Sequence, residues 1–237
     1  MARLSASGEI RVGLVQFPGS NCDADCLDVF KRYLEVPLIP IWHQETKLPP
    51  VDAILLPGGF SYGDYLRGGA LASHARIMPE VRQFAHKGGP ILGICNGFQI
   101  LTEMGLLPGA LLGNQQGRFV CADVHLAVAE GASHYHQTLQ GQLLRVPVAH
   151  GEGRYFLAPD DYQNLQDKGQ ILFQYATAQG ECTPAANPNG SVANIAGVVS
   201  ENGKILGMMP HPERAADQLV GGSADGLVLL KAFLATI

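Results

Sequence analysis

Pro90-Ile91-Leu92-Gly93-Ile94-Cys95-Asn96-Gly97-Phe98-Gln99-Ile100-Leu101 is an apolar run that turns through a cysteine between small residues into a helical pattern. A buried strand that turns sharply into a helix leaves its turn residue exposed at the strand's carboxyl end. That is the geometry of the G-x-S-x-G elbow, here with a thiol in place of the hydroxyl. Glycines flank the turn because it leaves little room for a Cβ. The free N–H groups and partial positive charge at the start of the helix favour a thiolate. The competing reading is a core cysteine acting as a small hydrophobe; the glycines and the strand-to-helix context weigh against it. Cys95 is therefore the candidate nucleophile.

A thiol nucleophile needs a base to move its proton and a third group to orient that base. Lys204-Ile205-Leu206-Gly207-Met208-Met209 reads as another apolar strand, and it ends in Pro210-His211-Pro212-Glu213, a stretch stiffened by two prolines. If that strand lies beside the Cys95 strand, Cys95, His211 and Glu213 meet at the carboxyl edge of one sheet as a triad. A third strand end, Pro57-Gly58-Gly59-Phe60-Ser61-Tyr62-Gly63-Asp64, follows the apolar run Ala53-Ile54-Leu55-Leu56. Thiolate attack on a carbonyl generates an oxyanion, and an aimed backbone N–H stabilises it by about 3 kcal/mol. The N–H groups of Gly59 and Asn96 are the natural pair of donors. No Gly-Lys-Ser/Thr follows these glycines, so they do not form a phosphate-binding P-loop.

Outward from these motifs, Ile10–Phe17 reads as a first strand, closed by Pro18-Gly19-Ser20-Asn21. Ser20 or Asn21 is placed to cap a helix carrying Leu27, Val29, Phe30 and Leu34 on its apolar face. Leu38–Trp42 is a short second strand whose Pro40 suits a sheet edge. A helix is expected from about residue 70 to 85, ahead of the Cys95 strand. Strands alternating with helices in near-continuous apolar runs describe an α/β fold with a doubly wound, mostly parallel sheet. Ligands of such sheets sit at the carboxyl ends of the strands. From about Arg118 the segments Phe119–Leu126, Leu143–Val148 and Ile171–Tyr175 follow with few convincing helices between them, an antiparallel extension in the C-terminal half. Ile195–Val199 and Lys204–Met209 make a hairpin through Glu201-Asn202-Gly203. A last helix turns Leu227, Leu230 and Phe233 inward.

The 237 residues suit a single domain, with residues 1–8 a flexible extension. A net charge of −5 with scattered Lys and Arg disfavours nucleic acid or an anionic membrane as partner. No signal-peptide core or membrane-length apolar run occurs, so a cytoplasmic location is expected. Five cysteines form no secreted disulfide framework. Cys22 and Cys26 have no Cys-x-x-Cys or His pair beside them, and His134-Tyr135-His136 falls in a polar stretch expected to be a solvated loop. No metal is assigned.

With these residues in view the chain resembles the class I, triad-type glutamine amidotransferases. Within them it is most similar to the glutaminase subunits of phosphoribosylformylglycinamidine synthase. The class is marked by Pro57-Gly58-Gly59, the Cys95 elbow with Gln99, and His211-Pro212-Glu213. The narrower likeness rests on Gly59–Arg67, Cys95–Gln99, Ala149-His150-Gly151-Glu152-Gly153-Arg154, Asn187–Ser191 and Gly207–Arg214. The resemblance implies that Cys95 attacks the side-chain amide of glutamine while His211 moves the proton and Glu213 orients His211. Gly59 and Asn96 hold the oxyanion, and Gly58 and Gln99 shape the substrate pocket. It further implies that ammonia passes to a synthetase subunit using ATP and Mg, that a small bridging subunit joins the complex, and that this chain binds no cofactor. His150, Glu152 and Arg154 either line the partner interface or stabilise a loop. Three rival readings remain: a cysteine peptidase or deglycase-like hydrolase on a similar sheet, a non-catalytic regulatory subunit, and the glutaminase of another synthase.

Overall fold

The computed structural model describes residues 10–237, and the extension expected at residues 1–8 lies outside the described residues. The first strands are β1 (Val12–Gln16), β2 (Leu38–Trp42), β3 (Ala53–Leu56), β4 (Ile91–Ile94) and β5 (Ala110–Leu112). They are followed by β6 (Val120–Val128), β7 (Leu143–His150), β8 (Arg154–Phe156), β9 (Ile171–Ala176), β10 (Ile195–Val199) and β11 (Ile205–Met208). The helices are α1 (Asp23–Arg32), α2 (Met78–His86), α3 (Asn96–Glu103), α4 (His134–Leu139), α5 (Pro159–Asp167), α6 (Gln218–Gly221) and α7 (Asp225–Leu234).

Nine strands form one sheet in the order β2-β1-β3-β4-β11-β10-β9-β6-β7, while β5 and β8 pair separately. The block from β2 to β11 is parallel, as the apolar runs led us to expect. Every residue of β3, β4 and β11 is buried, which requires cover on both faces of the sheet. Pro40 sits in β2 at the sheet edge, where a missing N–H costs no ladder bond. Beyond β11 each neighbouring pair is antiparallel, and β10 and β11 form the expected hairpin.

One register matters most. β11 pairs in parallel with β4, Leu206 opposite Leu92 and Met208 opposite Ile94. The two chains therefore leave the sheet side by side, one into Cys95 and the other into Pro210-His211. β3 pairs with β4 on its other side, Leu56 opposite Gly93, which brings Gly58 and Gly59 to the same edge.

Several local expectations are corrected. Cys22 occupies the N-cap of α1 without a side-chain cap bond, and neither Ser20 nor Asn21 caps it. The Ser20 Oγ instead accepts from the Phe17 N–H at 3.1 Å, closing the turn after β1. Cys26, Val29 and Phe30 form the buried face of α1, with Leu27 half-buried and Leu34 beyond its end. The helix expected from about residue 70 begins only at Met78. A short 3-10 turn at Ala72–His74 ends at an extended Ala75 (φ −61°, ψ 154°), and Pro79 then supplies the preset φ of a first helical turn.

The C-terminal half also holds more helix than its sequence suggested. The stretch around His134 and His136 is α4, started by Ser133 and anchored by fully buried Tyr135 and Leu139, and it packs against α7. His136 is buried, with its Nε2 2.8 Å from the Ile171 carbonyl oxygen and its Nδ1 2.7 Å from Ser133 Oγ. In α7 the inward residues are Leu229, Leu230, Ala232 and Phe233, whereas Leu227 is only half-buried.

Candidate active site

Cys95 stands between β4 and α3 with φ +49° and ψ −104°, a left-handed backbone that a non-glycine residue adopts at a cost. Three backbone bonds hold it there. Its N–H donates to the Met208 carbonyl at 2.7 Å, and its own carbonyl accepts from the N–H groups of Phe98 and Gln99. Gly97 faces β3 so closely that a Cβ would overlap the Leu56 carbonyl. A glycine two residues past the nucleophile is thus a packing requirement, which lets α3 begin directly at the strand end.

His211 and Glu213 are buried, 1% and 3% exposed. The His211 N–H donates to the Pro147 carbonyl at 2.8 Å, and Pro212–Arg214 form a 3-10 turn that swings Glu213 back beneath the ring. His211 Nδ1 lies 2.6 Å from Glu213 Oε1. Burial pulls the His211 pKa down, but the carboxylate of Glu213 and the sulfur of Cys95 outweigh it and hold the pKa well above its ordinary value. Because Nδ1 is committed to Glu213, Nε2 is the nitrogen left for the thiol; both Nε2 and Glu213 Oε2 are buried without hydrogen-bond partners.

The glycine corner closes over this pair. A Cβ on Gly58 would lie 2.7 Å from His211 Cε1, so only glycine lets β3's end approach the ring. Gly59 has φ +143°, and a Cβ there would lie 2.6 Å from the Gly19 carbonyl oxygen. The Asn96 side chain links corner and elbow: Oδ1 accepts from the Ser61 N–H at 3.3 Å, and Nδ2 donates to Gln99 Oε1 at 2.8 Å. Gln99 is buried and donates from Nε2 to the Glu152 carbonyl at 2.7 Å. Its amide therefore fixes the pocket wall by tying α3 to the segment after β7.

The antiparallel extension supplies the opposite wall. Cys95 Sγ lies 3.8 Å from the Ala149 carbonyl oxygen at the end of β7. His150 is buried, with Nδ1 3.1 Å from Asn114 Oδ1, and burial followed by the charge of His211 lowers its pKa to about 4. Glu152 accepts from the Gly68 N–H at 2.8 Å, and Arg154 donates from Nε to the Gly113 carbonyl at 3.0 Å. These contacts favour the loop-stabilising role for all three residues. A cavity of about 290 Å³ opens over the site, lined by Cys22, Gly59, Phe60, Phe119, Ala149 and His211 among others.

Two neighbours carry no role that the sequence alone signals. Asp64 lies 3.4 Å from Asn96 Nδ2 through Oδ1, and burial, then the charge of Glu152, raises its pKa to about 6. Cys22 and Cys26 have no Cys-x-x-Cys or His pair beside them in the sequence, and no local pattern assigns Cys22 a role. The fold brings it to His211 and Glu213, with Arg214 Nη2 3.2 Å from its sulfur. Asp64 ends the glycine-rich corner and Cys22 follows the turn after β1, but their contacts cross long stretches of chain that no local pattern encodes.

A cysteine hydrolase of the triad-type glutamine amidotransferase class is what this sheet edge describes. A sequence model of the CobB/CobQ-like glutamine amidotransferase domain matches residues 9–223, and the chain belongs to that family. Among curated relatives, the phosphoribosylformylglycinamidine synthase subunit PurQ of Chlorobium chlorochromatii is 49% identical over 229 residues, 96% of this chain and 97% of the relative. The protein of the same name from Aquifex aeolicus is 50% identical over 214 residues, 90% of this chain and 94% of its own length. A chain of the solved structure of PurLQS from Thermotoga maritima superposes with a TM-score of 0.81 at 39% identity, covering 96% of this chain and 98% of that one.

Proposed function

We propose that this chain is the glutaminase subunit of a phosphoribosylformylglycinamidine synthase. The observation that carries the reading is the match of nearly its whole length, at about half identity, to relatives bearing that subunit name. The geometry supports the chemistry. Cys95 Sγ attacks the side-chain carboxamide carbon of glutamine, and His211 Nε2 takes the thiol proton, the ring's tautomer being set by Nδ1 against Glu213 Oε1. The N–H groups of Gly59 and Asn96 receive the developing oxyanion. His211 returns the proton to the departing nitrogen, ammonia leaves, and water hydrolyses the glutamyl thioester to glutamate. Gly58 and Gln99 bound the space that glutamine occupies.

Ammonia then passes to a synthetase subunit that uses ATP and Mg to convert formylglycinamide ribonucleotide to formylglycinamidine ribonucleotide. A small third subunit bridges the two, and the complex works in the cytoplasm. Among the described residues no helix is long and apolar enough to cross a membrane. The peptidase and deglycase alternatives lose ground because the triad's base comes from the distal His211-Pro212-Glu213 and the family match spans both motifs. The test is glutamate release from glutamine by the chain alone and with synthetase, small subunit, ATP and formylglycinamide ribonucleotide. Release that rises at least tenfold on assembly is the expected result; release indifferent to these partners would assign the subunit to another synthase.

A further inference from the structure

Cys22 has no part in the chemistry above, yet it stands against the triad's base. Its Sγ, one imidazole nitrogen of His211 and a carboxylate oxygen of Glu213 all lie within 4.8 Å of one another, and all three residues are buried. Gly58 shows how they face. The place its Cβ would take is 3.1 Å from Cys22 Sγ, 2.7 Å from His211 Cε1 and 3.3 Å from His211 Nδ1. A side chain at 58 would thus overlap the ring and crowd the sulfur, and glycine lets Cys22 and His211 stand this close on either side of the strand end. Glu213 Oε2 is buried without a hydrogen-bond partner, a costly arrangement that a further ligand would relieve.

From this arrangement we propose that Cys22, His211 and Glu213 form a site for a thiophilic divalent cation, with Zn²⁺ as the natural occupant, and that its binding switches the glutaminase off. One sulfur, one nitrogen and one carboxylate oxygen are a three-residue zinc set that leaves a fourth position for water. A thiolate and a carboxylate together balance the charge of the ion. Zinc–ligand bonds of about 2.0–2.3 Å require the sulfur to close inward and the 2.6 Å contact between His211 Nδ1 and Glu213 Oε1 to open, movements of side-chain size. Access exists from two sides. The cavity of about 290 Å³ reaches Cys22 and His211, and a second of about 580 Å³, lined by Asp25, Tyr33 and Arg214, reaches Glu213. Arg214 Nη2 gives up its contact with Cys22 Sγ, while its Nε keeps Asp25 Oδ2 at 3.0 Å.

Binding displaces protons and breaks the base's support. The Cys22 thiol releases its proton to solvent, and the displaced Nδ1 proton moves to Nε2 where that nitrogen is free and to solvent where it is not. The ion also breaks the 2.6 Å pairing by which Glu213 Oε1 orients the ring, and its charge opposes an imidazolium, so His211 cannot cycle a proton with Cys95. No oxidation or reduction is involved. The binding does not depend on the proposed function, whereas the inhibition rests on it.

The experiment titrates the full-length chain with Co²⁺ as a spectroscopic stand-in for zinc, then displaces it with Zn²⁺. It uses wild type, Cys22→Ser and Cys95→Ser, each checked for folding by circular dichroism. A thiolate-to-cobalt charge-transfer band saturating at one equivalent, kept in Cys95→Ser and lost in Cys22→Ser, is expected. In parallel, one to two equivalents of Zn²⁺ should lower wild-type glutaminase activity in the assembled synthase at least tenfold, with recovery on adding EDTA. A band lost in Cys95→Ser would place the metal on the nucleophile and overturn the proposal, as would the absence of stoichiometric binding by wild type. Should Cys22→Ser not fold, Glu213→Gln takes its place: the band is expected to be lost in it, and a band kept undiminished would put the metal on another of the free cysteines and overturn the site. Metal binding as described by a chain without glutaminase activity would count against the functional reading alone.

Discussion

Asp64 offers a stability test whose sign is set by the structure. Its carboxyl is half-buried beside Asn96 and Glu152, and burial, followed by the Glu152 charge, raises its pKa from 3.8 to about 6. The nearby cation Arg67 is engaged in a bidentate pair with Glu103. A carboxyl whose folded pKa lies above its unfolded value binds more protons in the native state between the two. Native stability therefore falls as pH rises from about 4 to about 6, and the penalty is complete at neutral pH. Two units would correspond to about 3 kcal/mol if the group were sealed from solvent. Screening at a half-exposed site brings that to about 1 kcal/mol.

Asp64→Asn keeps the shape and the acceptor facing Asn96 while removing the charge. We expect the variant to be about 1 kcal/mol more stable than wild type at pH 7.5, a rise of about 2–4 °C in Tm for a chain of this size, and equal to it near pH 4. Urea unfolding at several pH values, followed by circular dichroism, reads both. A stability difference that does not change with pH, or that appears only near pH 4, would refute the placement of Asp64 against Glu152.

Glu213→Gln removes the carboxylate charge that raises the His211 pKa. It should lower kcat for glutaminase in the assembled synthase by about 10²–10⁴-fold with KM changed only a few-fold, and shift the limb of the pH–rate profile due to His211 to lower pH. A kcat within threefold of wild type would remove Glu213 from the triad. Gly97→Ala gains helix propensity but drives a methyl group into the Leu56 carbonyl. A net destabilisation of about 1–2 kcal/mol in urea unfolding is expected, and a stabilised variant would contradict the close packing of α3 on β3.

Much of this architecture can be read from the sequence because its parts carry short-range signals. The elbow around Cys95, the Pro-stiffened His211–Glu213 turn and the glycines at 58 and 59 each report a local backbone need. The fully apolar runs of β3, β4 and β11 report a sheet covered on both faces. What stays hidden depends on contacts between distant residues. α4 is six residues long, too short for a helical period to show, and its polar histidines mask an anchor made by Tyr135 and Leu139. The break at Ala75 delays α2 although its neighbours favour helix. Cys22 meets His211 only because β1 and β11 lie in the same sheet, with α1 brought against the turn after β11.

The most direct test of the central claim is the rate of formylglycinamidine ribonucleotide synthesis by the complex carrying Cys95→Ala, with glutamine and with ammonium as alternative nitrogen sources. Glutamine-dependent synthesis should fall to background while ammonium-dependent synthesis stays within about twofold of wild type, since only the nucleophile of one subunit has been removed. Equal loss of both activities, or glutamine-dependent synthesis that survives, would contradict the assignment of Cys95.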